Sequence, residues 1–367
     1  MLHAPVELVV LVLPCLNEEK TLAATCNSLG FGLDGQNQPA NAVLVMVDNG
    51  SVDDTPNIMS QIRFRSPAHT VIIRHEAERG YVPPRRAGIA FAQEIAQERH
   101  VSDQKTLIVQ VDADTEYCPF YADLLRAAAD RVGENVMLEG LSLRPLDFPA
   151  RYPAYVGAVE QTDRPLFPHM VDEAHDILID DKLSSFRLSD YFLWGGLHRE
   201  YLPSGLEIHA ETSRLYIRAR FRKARKEFIA QAYARPSHRR LLEDPLAIFA
   251  SAGFPREPGW DTWWRVGAAP QDAASIDLSQ PIWKSAVALR RAHQLLLQAA
   301  LPLHVCRLTD KASNLGAQFA RFESILEHFD DLTANSLLEH PGLLFARGFE
   351  LLDSERSVER LNALVVN

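Results

Sequence analysis

The stretch "LIVQVDADTEY", residues 107–117, ends an apolar run in two aspartates, Asp112 and Asp114, one residue apart. Carboxylates that close raise one another's pKa, so the pair asks for a positive charge between them. Alternate strand residues point to opposite faces, but both aspartates lie where the chain leaves the strand, so both can reach one site directly or through water. Carboxylate oxygens suit Mg²⁺ or Mn²⁺, and Mg²⁺ is commonly held by one or two carboxylates plus substrate phosphates. The chemistry implied is a metal that carries a diphosphate. The plain alternative for a D-x-D pair is a cap or a loop turn.

Two other patterns look chemical and do not hold. "GFGLDG", Gly30–Gly35, satisfies G-x-G-x-x-G, but a helical segment precedes it and a strand follows, the reverse of a dinucleotide site. It reads as a helix-to-strand loop. "HAE", His209–Glu211, matches half of a zinc deaminase site, and the P-C-x-x-C partner is missing.

The elements that must position Asp112 and Asp114 alternate. Residues 6–13, 42–48, 70–75 and 106–112 read as strands, the second ending in Asp48, and residues 56–65 and 85–99 as helices. Asn17, Glu18 and Glu19 suit a helix start, where acids meet the positive end of the dipole. Such alternation predicts an α/β fold, a doubly wound and mostly parallel sheet with helices on both faces and its ligand at the carboxyl ends of the strands. A helix near 119–132 follows, then residues 140–200, rich in proline and aromatics. The basic stretch 211–229 reads as one helix, with Arg214, Arg218, Arg222 and Arg225 on one face. A solvated face is the default for such a run. The sharper reading is a clamp for diphosphate or for an anionic acceptor such as a phosphate-bearing lipid head group. From about 275 the chain reads as helical, and Leu315, Phe319, Phe322, Ile325, Leu326 and Phe329 form one stripe, expected to be a packed face.

A chain of 367 residues with 47% hydrophobic residues is long enough for about two domains with real cores. A net charge of −10 argues against general nucleic-acid binding. Cys15, Cys26, Cys118 and Cys306 form no CxxC pair, and reduced thiols in a cytoplasmic protein are the simplest reading. "VELVVLVLPCL" is too short to span a bilayer, lacks a basic leader and is interrupted by Pro14; it reads as a buried first strand. The expectation is a soluble protein, at most peripheral to a membrane.

Four stretches fall in an order that resembles family 2 glycosyltransferases. "LVLPCLNEEKTL" is similar to the first-strand motif, a hydrophobic residue followed by P-x-x-N-E-E. "VMVDNGSVDDT" is similar to V-D-D-G-S-x-D-x-T, "RGYVPPRRAGIAFA" to G-x-x-x-A-x-N-x-G, and "VDADT" to the D-x-D motif. The resemblance covers about residues 6–256 and is best in the first 120. It implies the GT-A fold, with a Rossmann-like nucleotide-binding half at 1–115 and an acceptor-binding half at 116–260. The helical C-terminal extension, 275–367, lies outside it and could serve a homodimer.

Site roles follow from the resemblance. Pro14, Asn17 and Glu18 would line the nucleotide pocket, Asp48 would meet the base, Arg85 would sit near the nucleotide and Asp112 near its ribose. Asp114 would hold Mg²⁺ or Mn²⁺ on the diphosphate, with His238 in "PSHRR" as a further ligand. "ETSRLYIR" resembles E-D-x-x-L-x-x-R, which makes Glu211 the base candidate. Two departures stand out: Arg86 replaces the usual asparagine, and Thr212 replaces the second acid. The implied reaction is inverting transfer from a nucleotide-diphosphate sugar to a hydroxyl of a glycan, lipid head group or small molecule. It would move one sugar per encounter, since the Q-x-x-R-W signature of processive synthases is missing. The rivals are a catalytically decayed scaffold and a sugar nucleotidyltransferase, although "PCLNEEK" lacks the latter's glycine-rich loop.

Overall fold

A computed structural model describes residues 4–32, 39–267, 271–309 and 315–366. The opening apolar run is strand β1, Leu8–Cys15, buried along its length except for the half-buried Pro14. It lies between β2, Ala42–Asp48, and β4, Thr106–Gln110, and β3, Val71–His75, flanks β2. All four run parallel. Helices α1 (Leu22–Ser28), α2 (Thr55–Arg65) and α3 (Val82–Glu98) make the crossovers. After β4 come β5 (Thr115–Tyr117), α4 (Tyr121–Val132), β6 (Val136–Ser142) and β7 (Ser184–Arg187). Helices α5 (Leu188–Leu193) and α6 (Glu211–Phe221) then lead to β8 (Arg225–Pro236). The sheet has eight strands in the order β3-β2-β1-β4-β7-β6-β8-β5. Its second half is mixed: β7 is antiparallel to β4 and β6, β8 is parallel to β6, and β5 is antiparallel to β8. The expected α/β fold, a sheet with helices on both faces, is the one observed.

Near-continuous apolar strands are what a sheet covered on both faces requires. Val9, Leu11, Leu13, Leu44, Met46, Leu107 and Val109 pack with α1 and α4 on one face. Leu8, Val10, Val12, Val43, Val45, Val47 and Ile108 pack with Ile89, Ala92 and Ile95 of α3 and with Leu215, Tyr216 and Ala219 of α6 on the other. Gly88 sets how closely α3 approaches: a Cβ there would come within 2.4 Å of Val12 Cγ1 and 3.3 Å of Val47 Cγ2. β1 has β2 on one side and β4 on the other, so the strand order reverses at its carboxyl end. That crevice is where open α/β sheets bind ligands.

The chain divides into two interleaved units. One comprises Met1–Leu143, Ile179–Arg199 and Ala210–Ser237; the other comprises Arg144–Leu178, Glu200–His209 and His238–Asn367. The first holds the whole sheet. The second is helical, with a run from Pro281 to Leu308 followed by helices at Gly316–Leu326, Ala334–Glu339, Gly342–Glu350 and Glu355–Val366. The stripe expected to pack does so: Leu315, Phe322, Ile325, Leu326 and Phe329 are buried and Phe319 partly so. In the same unit the guanidinium of Arg290 meets both oxygens of buried Asp163, at 2.7 and 2.6 Å. The four cysteines are buried, and none is in a disulfide among the described residues. No described helix is long and apolar enough to cross a membrane.

Two local expectations change, and a third falls partly outside the described residues. Asn17, Glu18 and Glu19 do not start a helix: α1 begins at Leu22, and Asn17 has φ 58° in the preceding loop. The loop expected at Gly30–Gly35 is described only to Gly32; residues 33–38 lie outside the described residues. The basic stretch 211–229 is not one helix. Lys223 takes a left-handed φ of 63°, its N–H bonds to Arg220 O and that of Ala224 to Ala219 O, which closes a Schellman cap after Phe221. Arg225 therefore stands on β8, off the helical face assigned to it. Nor is α6 a solvated face, because Arg214, Arg218 and Arg220 are buried. Arg214 Nη1 donates to His198 O at 3.0 Å and Arg218 Nη2 to Gly196 O, so loop carbonyls take the place of water around these cations.

Candidate active site

The carboxyl edge of the sheet is knitted before any ligand is considered. Asn17 N–H donates to Ser51 Oγ at 3.1 Å, and its side-chain oxygen accepts from Val52 N–H at 2.9 Å. Glu18 N–H donates to Thr55 Oγ1 at 2.8 Å, and Glu19 N–H to Asp53 Oδ2 at 3.1 Å. The N-E-E residues thus tie the loop after β1 to the loop after β2. Pro14 lies at the end of β1, opposite Val47 in the register.

Asp48 closes β2 and is buried. Its Oδ1 accepts from Ser51 N–H at 2.9 Å, and its Oδ2 lies 3.1 Å from His75 Nδ1 at the end of β3. Burial acts to raise its pKa, but the hydrogen bonds from Ser51 and His75 outweigh that and hold it below the usual carboxylate range. Asn49, next in the chain, was not singled out from sequence. Its side-chain amide donates to Glu76 O at 2.9 Å and Glu78 O at 2.8 Å. Both partners are acceptors, so an aspartate could not do this work. Arg79 Nη2 donates to Gly50 O at 2.6 Å, and together they pin the loop between β3 and α3. Arg86, the residue replacing asparagine, turns to Glu78 at 3.3 Å, half exposed.

Arg85 is the centre of the arrangement. The first turn of α3 buries it to 6% exposure. Its Nη2 donates to Asp112 Oδ1 at 2.6 Å and its Nε to Glu211 Oε1 at 3.2 Å. Burial works against the charge, but Asp112, Asp181 and Glu211 raise the pKa well above the ordinary arginine value. Nη1 is buried without a hydrogen-bond partner. The positive charge beside Asp112 is therefore an arginine of the chain. Asp114 is half-buried; its Oδ1 accepts from Thr115 Oγ1 at 3.4 Å and its carbonyl from Ser237 N–H at 2.7 Å.

Glu211, also 6% exposed, opens α6 after Ala210, whose φ of 63° turns the chain into the helix. Thr212 Oγ1 accepts from Gln110 Nε2 at 2.9 Å, and its N–H donates to Asp181 Oδ1 at 3.1 Å. Asp181 keeps part of its surface in solvent, yet desolvation is the largest cause pushing its pKa up to about 7. Glu211 and Asp112 add to that, and Arg85 and the Thr212 bond oppose it. Nothing in "LIDDKLSS" marks Asp181 in sequence, because its surroundings are assembled from α3, the end of β4 and α6. His238 belongs to the second unit, where its ring packs on Phe148 and Tyr152 with Nδ1 buried and unpartnered. Among the described residues no three His, Cys, Asp or Glu side chains gather as a metal-holding group. One half-buried carboxylate still fits a cation whose other ligands are phosphates and water.

Residues 10–133, which contain all four motifs, match the family model for glycosyl transferase family 2. The match covers about a third of the chain, and the activity that goes with family 2 is glycosyl transfer. No curated protein sequence matches the chain. Among solved structures, a mannosyltransferase from Pyrobaculum calidifontis in complex with GDP-Man and Mn²⁺ is similar at 16% identity and TM-score 0.45, over 95% of this chain and 89% of that one. Residues 1–349 of S. aureus TarS, in complex with UDP-GlcNAc, give 13% and 0.43 over 94% and 90%. GalNAc-T7 with UDP, GalNAc and Mn²⁺ gives 13% and 0.42 over 91% and 58%.

Proposed function

We propose that the chain is an inverting glycosyltransferase that moves one sugar per encounter from a nucleoside-diphosphate sugar to an acceptor hydroxyl. The observation that carries this is Arg85, whose guanidinium joins Asp112 at the end of β4 to Glu211 at the start of α6. A residue of the nucleotide-binding edge and the base candidate thereby share one cation. Asp48, held ionised, would accept from the base of the nucleotide. Arg85 Nη1 is a buried donor available to the donor substrate, and Asp112 lies beside it. Glu211 binds Arg85 through Oε1, which leaves Oε2 to take the proton of the acceptor hydroxyl. General-base help of this kind is worth roughly 10²- to 10⁴-fold. Attack from the face opposite the departing diphosphate inverts the anomeric carbon, and binding of the nucleotide holds the sugar in line. A divalent cation, Mg²⁺ or Mn²⁺, held by Asp114 would supply Lewis-acid relief of the charge on the diphosphate. His238 as a ligand rests on the resemblance alone.

The test is thermal shift of the whole chain with UDP, GDP, CDP, ADP and dTDP, each with and without Mn²⁺. A ligand of the native state stabilises it by about 2.7 kcal/mol at a hundredfold excess over Kd. One diphosphate should raise Tm in a metal-dependent way, and Asp114→Asn should remove the metal dependence. Silence from all five would end the donor reading.

A further inference from the structure

Helix α1 carries two hydroxyls, Thr25 and Ser28, one turn apart. Thr25 Oγ1 accepts from Thr115 N–H at 3.2 Å and donates to Ala113 O at 3.0 Å. Ser28 Oγ accepts from Tyr117 N–H at 3.0 Å and donates to Thr25 O at 2.7 Å. Along a strand, the backbone polar groups of alternate residues leave by the same edge. Those of Asp114 and Cys118 leave β5 toward β8: Asp114 O accepts from Ser237 N–H at 2.7 Å, and Cys118 N–H donates to Tyr233 O at 2.9 Å. Ala113, Thr115 and Tyr117 leave by the opposite edge, where the hydroxyls of α1 stand in for a neighbouring strand.

Thr25 does more than close an edge. Ala113 O belongs to the peptide before Asp114, and Thr115 N–H belongs to the peptide after it. Peptides are planar, and the two planes that meet at a Cα set the direction of its Cβ. One hydroxyl, 1% exposed, therefore holds both planes at Asp114. The bond from Ser237 N–H adds a third hold on the backbone, and Thr115 Oγ1 meets Asp114 Oδ1 at 3.4 Å. Ala113 O can only accept and Thr115 N–H can only donate, so the group between them must do both. Threonine and serine can; valine, of the same shape as threonine, can do neither.

We propose that Thr25 is a positioning residue for the metal, acting through Asp114, whose carboxylate it keeps aimed before a cation arrives. This rests on the reading of Asp114 as the carboxylate that holds Mg²⁺ or Mn²⁺ on the diphosphate. Partners that orient a ligand without touching the metal are typically worth about 10- to 100-fold in metal affinity.

Isothermal titration of the full chain with UDP, GDP, CDP, ADP and dTDP, each in excess Mn²⁺ and in EDTA, tests this through the ratio of the two dissociation constants. Wild type should bind one diphosphate much more tightly with the metal. Thr25→Val should cut that ratio about tenfold or more, with the metal-free Kd as in wild type, and Thr25→Ser should keep the wild-type ratio. Tyr117→Phe is the control. Its hydroxyl grips the same loop, accepting from Asp112 N–H at 2.9 Å, and touches neither plane at Asp114, so any loss there should fall on both constants alike. A wild-type ratio in Thr25→Val, or a ratio lost equally in Tyr117→Phe, overturns the proposal. If Thr25→Val does not fold, Thr25→Cys, whose thiol is a weaker donor, should lose part of the ratio, and a wild-type ratio there overturns the proposal. Wild type that binds none of the five ends the donor reading. Wild type that binds one equally with and without Mn²⁺ ends the metal reading of Asp114. Either result overturns the proposal too, and both are distinct from a failure seen in the Thr25 variants alone.

Discussion

Replacing Arg85 with methionine removes the cation of the site and keeps much of its apolar stem. Two charge partners lose their counter-ion, and they do not suffer equally. The Asp112 side chain is 35% exposed and can be rehydrated, whereas that of Glu211 is 6% exposed and cannot. The cost therefore falls mainly on Glu211. Breaking a buried pair by removing one partner costs about 3–5 kcal/mol, and one dominant orphan points to the lower end, about 3 kcal/mol. A buried carboxyl that has lost its counter-ion favours its neutral form, so the folded variant is helped at low pH and loses that help as pH rises. The deficit of the variant should be largest at pH 8 and should shrink toward pH 5, by at most about 1.4 kcal/mol per pH unit for one proton. Urea titrations of wild type and variant at pH 5, 6.5 and 8 measure this. Adding Glu211→Gln to Arg85→Met should recover part of the loss at pH 8, because the orphaned charge is gone. A deficit that is the same at pH 5 and pH 8, or no recovery in the double variant, would refute the reasoning.

Gly88→Ala should destabilise the chain by about 1–3 kcal/mol, since the new Cβ must displace Val12 or lift α3; a Tm equal to wild type would show that the helix moves freely. Asn49→Asp replaces two amide donors with acceptors facing the carbonyls of Glu76 and Glu78, and should cost about 1–3 kcal/mol in urea denaturation. His75→Ala should move acid unfolding to higher pH. Asp48 is held below the usual range partly by His75, so its contribution is present above its unfolded pKa and lost as pH falls through the folded one. An unchanged acid midpoint would mean that Ser51 alone sets Asp48.

The first half of the sheet was legible because its signals are local. β2 and α2 fall within a residue of the positions read from the sequence, and each is bounded by strand-end Asp48 or by turn chemistry. The helix-to-strand change at Phe221–Arg225 was not legible. Arginines at 214, 218, 222 and 225 keep helical spacing straight across it, and the stop is made by a left-handed lysine rather than a glycine. The burial of α6 was hidden for a similar reason: a basic run reads as solvated until carbonyls such as His198 O are placed around it. At the site, Arg85, Asp112 and Glu211 were each named from motifs, but their mutual pairing depends on three elements meeting. Asp181 and Asn49 act through tertiary hydrogen bonds that leave no trace in local pattern.

The order in which the sheet closes bears on how little of the chain can stand alone. β4 has β7 on its outer side, and among the described residues β5, which follows the D-x-D residues, pairs with β8 alone. A fragment cut at residue 133, where the family match ends, would leave the buried run Thr106–Gln110 as a naked edge and β5 with no strand beside it. Unpaired apolar edges invite self-association. The smallest soluble fragment that keeps Asp114 in place must therefore extend through Pro236, and during synthesis the D-x-D segment waits for more than a hundred further residues before its own strand is paired.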